Sequence, residues 1–319
     1  MTVADPSRSP DRALDAFRED RVYLGADHRR NERRTWLVTA ICSVTLVALL
    51  AGGQLFRSMA LTASGLHMAA HVAALLVAAG AYALARRHAA DARFAFGTGK
   101  LGYLAGFANA VVLAISALLI GIESARRLML PQEVHYAGAV PLAVGSLAIT
   151  LICAWLLRPA VPAVRSDDPD GDLNLTAVHM HLSADALISG LAIAGLLAGE
   201  LLGWTFADPL AGLAGAVLVG HFAWTLLRRA SAALLDVNPS AELTAEVRAR
   251  LQADGERVLD LHLWRLGPGH HAVIAVVAAD HPHGPETYRR RLNGLTGLSH
   301  VTVEVRTASD SHDHHGHSH

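Results

Sequence analysis

Two pairs of metal-ligating side chains stand inside apolar stretches of this chain. His67 and His71 lie in Gly65-Leu66-His67-Met68-Ala69-Ala70-His71, and His181 and Asp185 lie in His181-Leu182-Ser183-Ala184-Asp185. Each pair is spaced i, i+4, so on a helix both members project from one face. Imidazole nitrogen with one carboxylate oxygen suits borderline divalent transition metals, whereas calcium and magnesium prefer oxygen alone. Two such faces brought together would supply the four donors of a tetrahedral ion. Ionisable groups are costly at membrane depth and mark an ion or proton path there. A single membrane His can simply hydrogen-bond a neighbouring helix, but two such pairs on separate helices point to a shared metal. His179, two residues before His181, turns to nearly the opposite face. Imidazole binds metal only when neutral, and its ordinary pKa is near 6.5, so protons would compete with metal for this site.

The elements that must carry these pairs are membrane helices. Only 17% of the 319 residues are charged and 52% are hydrophobic, against about 25% charged in soluble domains. Residues 35 to 227 are mostly Ala, Leu, Val, Gly and Ile, with charged flanks. At roughly 20 apolar residues per crossing, six spans are predicted: Thr35 to Leu55, Met59 to Leu84, Leu101 to Ile122, Ala137 to Leu157, Leu175 to Leu201 and Phe206 to Leu227. Met1 to Asp27 lacks the apolar core of a secretory signal, so the first span is expected to remain as a membrane helix. With the N-terminus in the cytoplasm, that side receives Arg29, Arg30, Arg33, Arg34, Arg86, Arg87, Arg93, Lys100, Arg158, Arg165, Arg228 and Arg229. The other side receives Arg57, Arg126 and Arg127. That imbalance places both termini in the cytoplasm of a multi-pass inner-membrane protein.

After Asp236 the pattern changes. Helices over Ala241 to Gln252 and Pro285 to Leu295, with strands over Val258 to Leu266, Ala272 to Ala278 and Val301 to Val305, make an α-β-β-α-β unit. That order suggests a small ferredoxin-like α+β domain. The expected division is a cytoplasmic segment over 1–33, a six-helix transmembrane domain over 34–230, the ferredoxin-like domain over 231–308 and a His-rich disordered tail over 309–319. The tail, Ser311-His312-Asp313-His314-His315-Gly316-His317-Ser318-His319, has a composition that captures metal weakly. His262, His270, His271, His281, His283 and His300 are further candidate ligands in the soluble part, with the alternative that they are ordinary surface or turn residues. Cys42 and Cys153 are the only cysteines and both fall in apolar stretches, which reads as small buried hydrophobes, not a disulfide framework or a thiolate zinc site. The net charge of −1 argues against nucleic acid as a partner. Asn109 is expected to hydrogen-bond another helix, with lining of the cavity as the alternative, Asp208 with Pro209 to shape the start of the sixth span, and the Asp167 to Asp172 run to be a solvated loop.

The sequence resembles the cation diffusion facilitator family from about Asn31 to Arg306. The matching segments are Ser58-Met59-Ala60-Leu61 before His67 and His71, Phe96-Gly97-Thr98-Gly99-Lys100, the His181 and Asp185 pair, Ala207-Asp208-Pro209-Leu210-Ala211-Gly212-Leu213, and Leu234-Leu235-Asp236. The resemblance implies a homodimeric metal/proton antiporter with six helices and a cytoplasmic ferredoxin-like domain. It also implies a transport site of His67, His71, His181 and Asp185, with metal as cargo and no cofactor. Many zinc and cadmium members carry Asp at one or both positions of the second helix. Two His there resemble the branch associated with cobalt and nickel efflux, as do Asn31-Glu32-Arg33-Arg34-Thr35-Trp36 and Asp260 to His270. The secondary site of some members, near the Phe-Gly-x-Gly-Lys segment, is matched only at Asp91, with Phe94 and Thr98 where its other residues would stand.

Divalent metal efflux, of Co(II) or Ni(II) or else Zn(II), is therefore expected. A membrane-embedded zinc hydrolase is the rival from enzyme chemistry, but there is no His-Glu-x-x-His and no Glu beside the pairs to act as general base. A metal sensor that signals without transport is the third possibility.

Overall fold

The computed structural model describes residues 22–55, 59–130, 136–158, 172–204 and 206–307; inside the helices, the side chains of residues 53, 59–67, 70, 136–140 and 142 are excepted. Six long helices come first: α1 His28–Leu55, α2 Met59–Arg87, α3 Leu101–Met129, α4 Tyr136–Leu156, α5 Leu173–Leu202 and α6 Ala207–Leu234. A smaller unit follows, of α7 Ala241–Leu251, β1 Arg257–Gly267, β2 His270–Ala279, α8 Pro285–Leu292 and β3 Leu298–Thr307. Among the described residues, α1, α3, α5 and α6 are long and apolar enough to cross a membrane, and α4 carries the shorter apolar run Ala143–Leu156. Val44, Leu118, Trp155 and Val217 lie exposed on these helices, a surface suited to lipid and not to water.

The helices outrun the apolar stretches that predict them. α1 begins at His28 instead of Thr35, α3 runs to Met129 instead of Ile122, and α6 to Leu234 instead of Leu227. The apolar rule measures bilayer thickness, whereas a helix continues into its polar flank wherever side chains find partners. In α1 those partners exist. Asn31 and Glu32 are buried; Glu32 takes a fork of two bonds from Arg86 at 2.9 and 3.0 Å.

Two groups of helices share α5. Val38 and Cys42 of α1, Met68, Val72 and Leu75 of α2, Cys153 of α4, and Leu175, Val178 and Leu182 of α5 form one core. Cys42 and Cys153 are free thiols with Sγ atoms 3.7 Å apart. Small residues dominate the other contacts: Ala110 and Ala117 of α3 meet Ala177 and Ala184 of α5 and Ala223 and Ala230 of α6. Side chains of that size let membrane helices approach closely.

The smaller unit is a three-stranded sheet in the order β1-β2-β3. β1 and β2 are antiparallel across a tight turn, with Leu263 opposite Val273. β2 and β3 are parallel, with Val273 opposite Val301, and α8 makes the crossover. Val273, Ala275 and Val277 pack with Val247 and Leu251 of α7 and Tyr288 and Leu292 of α8. All three strands extend beyond their predicted limits, while α8 stops at Leu292 instead of Leu295.

The two parts meet closely. Lys100 Nζ lies 2.5 Å from Asp236 Oδ1, linking the start of α3 to the end of α6. Tyr23 packs with Leu266 and Ala272 of the sheet. Phe96 sets its ring edge-on to Trp264 and His300, with centroids 5.5 and 5.7 Å away. A Cβ on Gly99 would stand 2.8 Å from Gly267 Cα and 2.7 Å from the Tyr23 carbonyl oxygen, so only glycine fits there.

Candidate metal centre

α2 and α5 bring His71, His181 and Asp185 together. All three are buried, and their ligand atoms lie within 4.8 Å of one another. Asp185 Oδ2 stands 3.1 Å from His71 Nδ1 and 3.4 Å from His181 Nε2. Donors on a tetrahedral zinc-sized ion, about 2.0–2.1 Å from the metal, are separated by roughly 3.3 Å. The observed spacings match that edge length. The imidazole rings of His71 and His181 stand edge to face, 5.2 Å between centroids at 85°. Asp185 Oδ2 has no hydrogen bond of ordinary geometry among the described residues, although both nitrogens are near. Donor atoms that converge on one point have the arrangement a cation requires. The side chain of His67 lies outside the described residues; its backbone is one turn before His71 on α2. His179 stays out of the cluster, half-buried with Nδ1 3.5 Å from Ser183 Oγ.

The register of α5 against α2 is fixed below this cluster by residues that sequence patterning did not single out. Asp172 is the N-cap of α5, accepting from the Leu175 N–H at 3.2 Å. Its Oδ2 also accepts from Tyr82 Oη of α2 at 2.5 Å and Asn31 Nδ2 of α1 at 2.8 Å. Asn174 donates to the Ala78 carbonyl at 3.0 Å. The expectation of a solvated loop is therefore wrong at Asp172, and 167–171 lie outside the described residues. The available signal was an Asp immediately before an apolar helix, an N-cap position, obscured by the acidic residues around it.

Asn109 does not make the expected hydrogen bond to another helix. It is 1% exposed on α3, and neither its Oδ1 nor its Nδ2 has a hydrogen-bond partner among the described residues. Asp208 sits in the first turn of α6 with Pro209 beside it, at the helix start where they are expected, after Phe206 as N-cap.

In the sheet unit most candidate His have other work. His270 Nδ1 is 2.6 Å from Ser299 Oγ and its Nε2 3.3 Å from the Leu24 carbonyl. His262 Nε2 is 2.8 Å from Asp260 Oδ2 and exposed. His271 is buried, and His300 packs on Phe96. His281 is exposed. His283 does approach Asp254 and Glu256. Arg291, however, already pairs with Asp254 and donates to Glu256 Oε1 at 2.8 Å, neutralising the two carboxylates a cation would need. Burial alone would raise the Glu256 carboxyl; backbone N–H groups and Arg291 more than offset it and leave the group below its ordinary value. Asp91 is likewise engaged, its carboxyl pulled down to about 2 by hydrogen bonds from the Arg93 side chain and backbone. The tail over 311–319 lies outside the described residues.

Comparison with known proteins bears on the whole arrangement. Residues 35–235 match the cation efflux transmembrane domain. The chain is 27% identical over 270 residues to a "Cadmium, cobalt and zinc/H(+)-K(+) antiporter" of Bacillus velezensis, covering 82% of this chain and 84% of that protein. It is 29% identical over 301 residues to the metal cation efflux system protein CzcD of Cupriavidus metallidurans, covering 89% and 91%. Against the zinc transporter ZitB of Escherichia coli, identity is 31% over 240 residues, with 74% of each chain covered.

Proposed function

The chain belongs to the cation efflux family, the cation diffusion facilitators, and from that premise we propose that it exports Co(II) or Ni(II), with Zn(II) the next candidate, in exchange for protons. As a family member it is a membrane cation efflux transporter and not an enzyme; the metal is its cargo and no cofactor is needed. The observation that carries the proposal is the convergence of His71, His181 and Asp185 from α2 and α5 at tetrahedral spacing. His67 completes the set as fourth ligand in this reading. Its place one turn before His71 on the same helix supports that role. Three imidazoles and one carboxylate favour cobalt, nickel or zinc, and the cobalt and zinc in the relatives' names agree with that class. The two His on α2, where Asp is common in zinc and cadmium members, tip the choice toward cobalt and nickel.

The same proposal takes 34–230 as six membrane helices and 231–308 as a ferredoxin-like domain. Residues 1–33 and the 309–319 tail flank them, both termini are cytoplasmic, and the unit is a homodimer. The α-β-β-α-β order and the mixed sheet support the second assignment. Transport follows from ligand chemistry. From the cytoplasmic side, a divalent ion displaces protons from the imidazoles and the carboxylate, because these groups bind metal only when deprotonated. As the cavity opens outward, the higher proton activity there reloads the ligands and expels the ion. In this reading the motion is of two helix groups about α5, which packs both with α3 and α6 and with α1, α2 and α4.

The test is a panel of Co(II), Ni(II), Zn(II), Cd(II) and Mn(II) in proteoliposomes with an imposed pH gradient and an internal pH dye. Wild type should move Co(II) or Ni(II) fastest with counterflow of protons, and Asp185→Ala should abolish both signals. Metal flux without any change in internal pH would remove the antiport mechanism, and unimpaired flux in Asp185→Ala would remove the site.

A further inference from the structure

A groove with charged side chains along it opens at the N-terminal end of α1. This groove of about 430 Å³ is lined by Arg29, Glu32, Arg33, Trp36 and Arg86. Arg29, Arg33 and Trp36 are spaced i, i+4, i+7, so they share one face of α1, and Arg86 comes from the last turn of α2. Three guanidinium groups meet one carboxylate. That carboxylate, Glu32, is buried and already held by Arg86 in a two-bond fork. Arg29 and Arg33 are exposed and enter no ion pair among the described residues, whereas their neighbour Arg30 is paired with Asp27 at 2.7 Å. The groove is thus left with two uncommitted guanidinium groups, whose planar forks suit phosphate oxygens.

The surface below the groove is apolar. Trp36 is 44% exposed, and the same helix face continues into Val44 and Val47, both well exposed. A tryptophan at the junction of charged and apolar surface marks the headgroup level of a bilayer. Charge above, an aromatic ring at the boundary and an apolar stripe below reproduce the layering of an amphiphile. Basic pockets between membrane helices at the cytoplasmic face take anionic headgroups.

We propose that the groove between the N-terminal end of α1 and the C-terminal end of α2 binds the phosphate of an anionic phospholipid, with Arg29 and Arg33 as its ligands and the exposed face of α1 from Trp36 to Val47 as the seat of an acyl chain. Free phosphate would share the guanidinium contacts but gain nothing from the apolar stripe. Because the groove lies on α1 and the tip of α2, its occupancy does not depend on the metal assignment above.

The full chain in a neutral detergent is tested by native mass spectrometry and by thermal melting, with dioleoyl-phosphatidylglycerol, dioleoyl-phosphatidylcholine or sodium phosphate added. Wild type should retain phosphatidylglycerol and be stabilised by it, with little effect of phosphatidylcholine. The double variant R29Q/R33Q should bind phosphatidylglycerol about 30-fold more weakly, the product of two interfacial Arg contacts, while R29K/R33K, which keeps both charges but loses the planar forks, should fall between wild type and R29Q/R33Q. Equal retention of the two lipids by wild type overturns the proposal, and that comparison stands even if a variant fails to fold. Equal affinity of wild type and R29Q/R33Q for phosphatidylglycerol also overturns it. Protection by sodium phosphate as strong as that by phosphatidylglycerol, with displacement of the lipid, would assign the groove to a free anion and refute the lipid.

Discussion

Removing the carboxylate of Asp172 should loosen the whole end of the α1, α2 and α5 group at which it stands. In Asp172→Ala three donors lose one acceptor: the Leu175 N–H, Tyr82 Oη and Asn31 Nδ2. The lost N-cap costs about 1 kcal/mol. Each hydrogen bond to a charged acceptor contributes about 1.5–3 kcal/mol. Tyr82 and Asn31 are 3% and 4% exposed, so water cannot readily replace what they lose. Since the bonds share one carboxylate, the losses do not simply add, and a total of roughly 3–5 kcal/mol is expected. For a membrane domain of this size that is a fall in apparent melting temperature on the order of 10 °C. Tyr82→Phe removes one donor and leaves none orphaned in its own side chain, so it should cost about 1 kcal/mol. Asp172→Asn keeps a good cap but loses the charge, and should fall between the two. The assay is thermal melting of the full chain in one detergent, with metal transport measured alongside. A displaced α5 shifts His181 and Asp185 relative to His71, so Asp172→Ala should also weaken metal uptake although it contacts no ligand. Asp172→Ala melting within about 2 °C of wild type, or Tyr82→Phe costing as much as Asp172→Ala, would refute the reasoning.

Three other perturbations test separate parts of the structure. Gly99→Ala drives a methyl group into backbone atoms of Tyr23, Leu266 and Gly267; overpacking of that kind costs about 1–3 kcal/mol, and hydrogen exchange over 22–25 and 266–269 should accelerate, whereas unchanged protection would contradict the close approach. Asn109→Leu removes two buried polar atoms that have no partner among the described residues and should leave the melting temperature unchanged or raise it by a few degrees; a marked fall would mean the amide is satisfied. Glu256 is held below its ordinary pKa by N–H groups and Arg291 against the opposing effect of burial. Its contribution is complete above the unfolded carboxylate pKa, about 4.3, and is lost as pH falls through the lower folded value. Protease resistance of the sheet unit should therefore exceed that of Glu256→Gln at neutral pH and converge with it in acid, and a gap that persists in acid would reverse the sign of that linkage.

The parts legible in the sequence were those with a period. Apolar runs gave the long helices, and alternation with turn residues gave the β1-β2 hairpin and the order of the small unit. The i, i+4 spacing put His181 and Asp185 on one face, and the structure brings His71 to them. What escaped depends on contacts between distant segments. Asp172 sits at the edge of an acidic run that looks solvated, yet Tyr82 and Asn31 donate to its half-buried carboxylate, and no local pattern records partners 90 and 141 residues away. Helix ends escaped for the same reason, since Glu32 and Arg86 sustain each other beyond the apolar stretch. A hydrogen bond is the usual state of a buried amide, but neither amide atom of Asn109 finds a partner among the described residues. The His of the sheet unit were composition without geometry until Ser299, Asp260, Phe96 and the Leu24 carbonyl took their places beside them.

Cobalt absorption spectroscopy tests the central claim most directly. Co(II) held by three imidazoles and one carboxylate is four-coordinate and absorbs strongly in the visible, whereas a six-coordinate aqueous-type ion is pale. Titration of the full chain should give one intense band set that saturates at one Co(II) per chain and is lost in His71→Ala, His181→Ala and Asp185→Ala, with any contribution of the His-rich tail common to all four proteins. The same intense spectrum persisting in Asp185→Ala, or only a pale spectrum in wild type, would contradict a transport site built from His67, His71, His181 and Asp185.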